Sequence, residues 1–189
     1  MKILHFNYSD QLGGAAVATM RLHEALKKYQ KLDSVIKVNE KLTNLNDVLG
    51  PSSSFNISLN ILKKRFSYQF KKFSKSSLPG THSIALLPSS TEKTITNINP
   101  DVVHLHWVNN EMMSIREIGK IQKPLIWTFV DMWPVCGAEH YSSNNDFLNG
   151  YNNNESKGFN LNNWVWKRKK KHWTKKFKIV CISGWLTNL

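Results

Sequence analysis

Apolar and polar positions along the chain follow two periods, one near two residues and one near 3.6, that take turns. Ile3-Leu4-His5-Phe6 is a short apolar run that reads as a strand. It is closed by Asn7, Tyr8, Ser9, Asp10 and then Gly13-Gly14, a loop signature. From Ala15 the period lengthens. Ala15, Ala18, Leu22, Ala25, Leu26 and Tyr29 recur at helical spacing, which predicts a helix with that stripe on the core. Ser34 to Val38 reads as a second strand. Strand, glycine loop, helix and strand make a βαβ unit, whose default is a parallel sheet.

The stretch from Asn39 to Ser58 is polar, carries Pro51 and three serines in a row, and reads as loop. Leu59, Leu62, Phe66, Phe70 and Phe73 then step along one stripe of a basic amphipathic helix, part of which should pack on the sheet. A helix over Ser90 to Ile98 is stopped by Pro100. Asp101 to Trp107 is a strand, apolar except for His104 and His106, as suits a strand covered on both faces. Ser114 to Ile121 is a helix and Leu125 to Phe129 a strand. The Asn-rich segment of about 142–163 reads as a long loop. A basic helix over Asn163 to Lys176 and a strand over Lys178 to Ile182 complete the pattern. The alternation predicts one α/β domain over 1–182, a doubly wound parallel sheet. In such sheets a ligand crevice lies off the carboxyl ends of the strands.

Composition narrows the classes. The chain has 189 residues, 41% of them hydrophobic, which excludes a wholly disordered chain. No apolar run approaches the roughly 18–20 residues that span a bilayer, and the start has no secretory signal pattern. Two cysteines, Cys136 and Cys181, suit a reduced, cytoplasmic protein. The net charge is +13, and it is clustered. Eight of the 26 basic residues lie between Lys167 and Lys178 and six between Lys63 and Lys75. Such fields attract something anionic: nucleic acid, lipid headgroups or a phosphorylated substrate. Nucleic acid is not expected, because neither aromatic-basic alternation on a strand nor a helix-turn-helix pattern occurs.

The candidate chemistry falls at the strand ends. Gly13 and Gly14 allow backbone N–H groups to approach an anion at a helix N-terminus. The pattern is not the GxGxxG dinucleotide fingerprint, and no phosphate-binding P-loop is present. His104 and His106, two apart on a strand, share one face. A metal would need further donors. Asp131, Glu139 and His140 are available but match no metal spacing, so no metal is expected. Asp131, directly after a strand, can accept from sugar hydroxyls or orient a base. Trp133 offers an apolar platform, and His140-Tyr141 follows. The chain order contains no Ser-His-Asp pattern suggesting hydrolysis.

Lys2 to Phe6 with Gly13-Gly14-Ala15-Ala16, Pro100 to Trp107, Trp127 to Pro134, His140-Tyr141 and Ile182 to Leu186 together resemble the amino-terminal half of GT-B glycosyltransferases. The nearest branch is glycosyltransferase family four, of the type that builds bacterial surface polysaccharide. The resemblance implies a Rossmann-like domain and metal-free transfer of a sugar from a nucleotide-sugar to a glycan or lipid-linked acceptor. It implies that Gly13 and Gly14 face the donor phosphates. His104, His106, Trp107, Asn109 and Trp133 would line the acceptor side, with Asp131 and His140 at the reacting sugar. It also implies a peripheral location at the inner face of the membrane, through Lys63–Lys75 and Lys167–Lys178.

Two departures stand out. Val130 replaces the histidine that the family usually places before this aspartate. Ala138 and Glu139 replace the usual Gly-Cys before His140. Family members run to about twice this length, so 183–189 would begin the connection to a donor-binding domain. A shortened chain, a degraded gene and one half of a split enzyme are all open, and by itself the chain is expected to fold without turning over. The alternative class is a non-catalytic basic module that binds a membrane surface or anionic glycolipid.

Overall fold

The computed structural model describes residues 1–71, 81–142, 145–152 and 159–188, apart from the side chains of Phe70 and Lys71. The strands are β1 (Lys2–Phe6), β2 (Asp33–Lys37), β3 (Val48–Leu49), β4 (Val102–Leu105), β5 (Leu125–Phe129) and β6 (Lys178–Cys181). They form one six-stranded sheet in the order β3-β2-β1-β4-β5-β6, and every pairing is parallel. The helices are α1 (Gly14–Gln30), α2 (Ser54–Lys71), α3 (Thr91–Ile98), α4 (Ile115–Lys120), α5 (Leu161–His172) and α6 (Gly184–Thr187). This is the Rossmann-like doubly wound α/β architecture that the alternation predicts. Among the described residues no helix is long and apolar enough to cross a membrane.

The two faces of the sheet differ in chemistry. Leu4, Phe6, Val103, Leu105, Trp127 and Phe129 point to one face. There they pack with Ile115 and Ile118 of α4 and with Leu161 and Val165 of α5. Trp127 is nearly inaccessible, and its indole donates to the His106 carbonyl at 3.1 Å. The opposite face carries His5, Ser34, His104 and Thr128, and α1 covers it. A helix on a polar surface turns polar residues toward it. Accordingly α1 buries Ala16, Thr19 and His23, and the His23 ring bonds Ser34 Oγ at 2.7 Å. Of the predicted stripe, Ala15, Leu22, Ala25 and Leu26 are half-buried beside that line, while Ala18 and Tyr29 are exposed.

Local signals set the helix ends. Ser114 and Glu117 form a reciprocal capping box at α4. Asn160 caps α5 by accepting from Asn163 N–H. Lys31 and Asn99 close α1 and α3 in left-handed conformation. A fully buried Lys169 on α5 donates to the carbonyls of Trp133, Cys136 and Gly137, tying the turn after β5 to the helix.

Two predicted loops contain structure. Within 39–58, Val48 pairs beside Ile36 and packs with Ile36 and Val38, and α2 starts at Ser54. Within 142–163, a 3-10 turn at Asp146–Asn149 buries Phe147, Tyr151 is buried too, and α5 already begins at Leu161. The apolar anchors in each segment are too few to register as a period. Helix α2 departs most. It turns Asn56, Asn60, Lys63 and Ser67 toward the protein, leaving Leu62 63% and Phe66 39% exposed. Phe73 of the predicted stripe lies outside the described residues.

Helices α4 and α5 meet at Gly119. A Cβ there would come within 2.2 Å of the His172 carbonyl oxygen. Gly119→Ala should improve intrinsic helix propensity by about 1 kcal/mol yet destabilise the fold, because overpacking costs roughly 1–3 kcal/mol. Denaturant titration checks this, and a variant at least as stable as the parent would show that the helices can separate freely.

Candidate functional site

The strand order reverses between β1 and β4, and the chain leaves each of them in opposite directions across the sheet. A crevice of about 440 Å³ opens there, off the carboxyl ends of β1, β4 and β5, with Ile182 just after β6 at its edge. Gly13 and Gly14 form one wall and Trp107, Val130 and Asp131 another, with Tyr8 and Tyr141 between them. Gly13 has φ +85°, a conformation that suits glycine. A Cβ built on Gly13 or Gly14 meets nothing within 4 Å, so these glycines leave open space on the crevice side. No side chain caps the start of α1.

The loops around the crevice are held by short polar contacts. Asn7 Oδ1 accepts from Trp107 N–H at 3.0 Å, and Asn7 Nδ2 donates to Ser9 O at 2.6 Å. Asp10 accepts from Leu42 N–H, Thr43 N–H and Thr43 Oγ1, bonds that hold its carboxyl below the usual range against the opposing effect of burial. Tyr8 meets Trp107 edge-on at 5.7 Å between centroids.

Asp131 is the hub. Its Oδ2 accepts from Trp107 Nε1 at 2.9 Å and pairs with His140 Nδ1 at 2.6 Å, while Oδ1 accepts from Trp133 N–H at 3.0 Å. The far nitrogen of His140 meets Ser83 Oγ at 2.9 Å. The fold therefore joins Ser83, His140 and Asp131 in one hydrogen-bonded chain. The sequence predicted no such arrangement, because Ser83 and His140 lie 57 positions apart. Ser83 is 1% exposed and does not line the crevice, so the chain orients Asp131 rather than presenting a hydroxyl.

The predicted site residues divide into two groups. Gly13, Gly14, Trp107 and Asp131 line the crevice, with His140 directly behind Asp131. His104, His106, Asn109 and Trp133 do not line it. Trp133 is 0% exposed in the core, its indole donating to Ser83 O, and no face is left as a platform. Asn109 is buried in the loop after β4. His104 and His106 point away from the opening, onto the sheet face beneath α1. Asn7 and Tyr8 carry no signal in the sequence beyond their position after β1, and Tyr141 only its place beside His140.

His104 and His106 meet His5 of the neighbouring strand. One ring nitrogen from each lies within 4.8 Å of the others, the one cluster among the described residues able to hold a metal ion. Three contacts tie the rings to one another and to the sheet, while the buried His5 Nε2 has no hydrogen-bond partner among the described residues. His5 Nδ1 meets His106 Nε2 at 3.0 Å, His104 Nε2 meets Thr128 Oγ1 at 2.8 Å, and the His104 and His106 rings stack at 4.2 Å. Burial, reinforced by the charges of His104 and His23, lowers the His5 pKa to about 3. Burial alone brings His104 to about 4 and is the main cause that takes His106 well below its ordinary value. The fold holds these rings neutral.

Compared with known proteins, the chain matches no family model, no curated protein and no solved structure at a significant level.

The histidine cluster sets an acid limit. An unfolded histidine takes a proton near pH 6.5, whereas the folded rings resist it until far lower pH. Their contribution is therefore complete above about pH 6.5 and is lost as pH falls toward 4. The thermal midpoint should drop across this window, and His104→Gln should shallow the slope. A midpoint constant between pH 6.5 and 4.5 would contradict the neutral cluster.

Proposed function

We propose that this chain is the acceptor-side half of a glycosyltransferase, moving a sugar from a nucleotide-sugar to a glycan or lipid-linked acceptor in surface polysaccharide synthesis. The observation that carries the reading is the orientation of Asp131. A carboxylate fixed by an indole, an imidazole and a backbone N–H stands on the wall of a crevice, opposite the exposed backbone of Gly13 and Gly14. Sugar transfer asks for both. An anchored carboxylate can receive hydrogen bonds from sugar hydroxyls and assist deprotonation of the attacking one. Open glycine backbone at the N-terminus of a 17-residue helix suits the donor's phosphates. Trp107 and Tyr8 supply aromatic faces against which a sugar ring can lie. His140, held between Asp131 and Ser83, positions the carboxylate and can share the proton. In this reading a second Rossmann-like domain holds the nucleotide, and the crevice needs no metal.

Adding a panel of nucleotide-sugars and glycans to the labelled chain should shift the Trp107 indole N–H resonance. Asp131→Asn should weaken that response about tenfold, equivalent to roughly 1.4 kcal/mol. If no sugar disturbs Trp107 in a folded chain, the transferase reading fails.

One observation favours the alternative, a membrane-binding module. Helix α2 presents Phe55, Ile57, Ile61, Leu62 and Tyr68 on its flanks and outer surface, each at least half exposed, beside exposed Lys64 and Arg65. Apolar side chains interleaved with cations suit the interface of an anionic bilayer, where each basic residue contributes about 1 kcal/mol. The second cluster is less available. Lys169 is buried, and Arg168 donates to the carbonyls of Ile84 and Ala85. Lys72 and Lys75 lie outside the described residues. The two readings are compatible in one protein. The chain should co-sediment with anionic vesicles and detach as salt rises. Phe55→Ser with Leu62→Ser should release it, whereas Lys170→Gln with Lys171→Gln should not. Equal binding to neutral vesicles would remove the electrostatic part of this reading.

A further inference from the structure

We propose that a second groove, between α2 and α3, binds the anionic, polyhydroxylated part of the acceptor: a phosphate-bearing glycan. This deepens the sugar-transfer reading of the crevice and rests on it.

The groove has a volume of about 660 Å³ and opens on the same edge of the sheet as the crevice. Its floor is Lys37, the last residue of β2, and Asn39. One wall is the inward face of α2 with Asn56, Leu59, Asn60 and Lys63. The other is the start of α3, with Lys93. None of the residues lining it is acidic. Three lysines without a carboxylate form a site for an anion. Four asparagines and several hydroxyl side chains supply the mixed donors and acceptors that vicinal sugar hydroxyls require. Leu59, Pro51 and Pro88 add apolar surface against which a sugar ring can lie.

The cations face the groove without counter-charge. Lys37 is half-buried, and among the described residues its ammonium donates only to the Gly50 carbonyl at 2.6 Å. Burial lowers its pKa, and an incoming anion would favour its charged form. Lys63 reaches the Pro88 carbonyl, and Lys93 has no partner among the described residues. The inverted face of α2 also finds a reason here. Two asparagines and a lysine are turned inward beside Leu59, on a helix that leaves Phe55, Ile57, Ile61, Leu62 and Phe66 exposed. Such an arrangement costs burial of apolar area unless the inner face has a polar ligand to meet.

The groove and the crevice share their foundations. Asn7 N–H donates to the Lys37 carbonyl at 3.2 Å and Asn39 N–H to the Tyr8 carbonyl at 3.0 Å. Lys64, beside Lys63, places its ammonium 5.4 Å from the centre of the Tyr8 ring. A chain of sugars anchored by its phosphate in the groove can therefore extend past Tyr8 toward Asp131.

Heteronuclear NMR of the full chain tests this, with glucose 1-phosphate, glucose and inorganic phosphate as probes. Glucose 1-phosphate should shift the amides of Lys37, Asn39 and Lys93, and glucose should bind at least tenfold more weakly. Lys37→Gln with Lys93→Gln should weaken the sugar phosphate about tenfold or more, while Lys170→Gln with Lys171→Gln leaves it unchanged. Lys93→Glu, at the surface, provides a reversal that does not threaten folding. Two vesicle arms distinguish the source of the phosphate. Preference for vesicles carrying phosphatidylinositol 4-phosphate over equally charged phosphatidylserine, lost in the double variant, assigns a lipid-borne headgroup. Equal vesicle binding with retained glucose 1-phosphate binding assigns a free sugar phosphate. Inorganic phosphate binding as tightly as glucose 1-phosphate, or shifts unaltered by the lysine variants, would overturn the proposal. The Trp107 response to nucleotide-sugars is read in the same spectra, so the groove can fail while the crevice stands.

Discussion

The parallel pairing of β1 with β4 at the centre of the sheet is the contact on which the rest depends. Two parallel neighbours whose chains depart to opposite sides cannot both be covered at their carboxyl ends, so an opening is left where they part. Here that opening is kept in shape by a small polar clamp. Tyr8 N–H donates to the Trp107 carbonyl at 2.9 Å, and Trp107 N–H donates to the Asn7 side chain. The clamp continues the β1–β4 ladder for two residues after the strands have ended. It fixes Trp107, and Trp107 in turn fixes Asp131 through its indole. The carboxylate is thus positioned by the sheet itself, with His140 and the Trp133 backbone supplying the remaining donors. Preorganisation of this kind matters for any chemistry in which charge develops beside a fixed group.

The same pairing creates the fold's most demanding region. His5 and His104 are direct partners across β1 and β4, and His106 follows one strand step later. Three imidazoles on one face would be costly if each needed water. They bond each other and Thr128, with His5 Nε2 left unpartnered among the described residues, and α1 meets them with Ala16, Thr19 and His23 instead of a leucine stripe. The opposite face carries the apolar core with its tryptophans. The sheet therefore divides its work. One face supplies most of the hydrophobic stabilisation, and the other a polar layer directly beneath the crevice.

The sequence made long apolar runs and their order legible, and little about how polar surfaces pair. β1, β4 and β5 are continuous runs with glycine, proline or polar boundaries, and they were placed to within a residue or two. β3 is only two residues long and has no period to detect. The apolar stripe of α1 lies beside the buried line rather than on it, because this part of the sheet is polar. Helix α2 departs too: Asn56 and Asn60 turn inward with Leu59, while Leu62 and Phe66 of the expected stripe are exposed. At the site, residues next to strand ends were found: Gly13, Gly14, Trp107 and Asp131. Contacts that depend on distant segments meeting, such as Ser83 with His140, leave no trace in spacing. Trp133 was mistaken for a surface platform because a tryptophan after a strand looks alike whether it turns outward or, as here, inward under Lys169.

The inverted face of α2 links the pieces on the proposed reading. An ordinary amphipathic helix turns its apolar face toward the protein and its cations toward water. This one reserves its inner face for the groove and leaves apolar side chains among Lys64 and Arg65 outside. A bilayer against that outer surface would bury the exposed side chains and satisfy the cations at once. The groove would then lie just beneath the headgroups, and the crevice beyond it along the same sheet edge. A phosphate-linked glycan rooted in the membrane would meet the lysines first and reach Tyr8, Trp107 and Asp131 with its far end. The order in which such a ligand meets these groups follows from the strand order. Lys37 belongs to β2, Tyr8 follows β1, Trp107 follows β4 and Asp131 follows β5, and these are successive neighbours across the sheet. On the proposed reading, a single architectural fact, parallel strands ending on one edge, would set out the path from membrane to carboxylate.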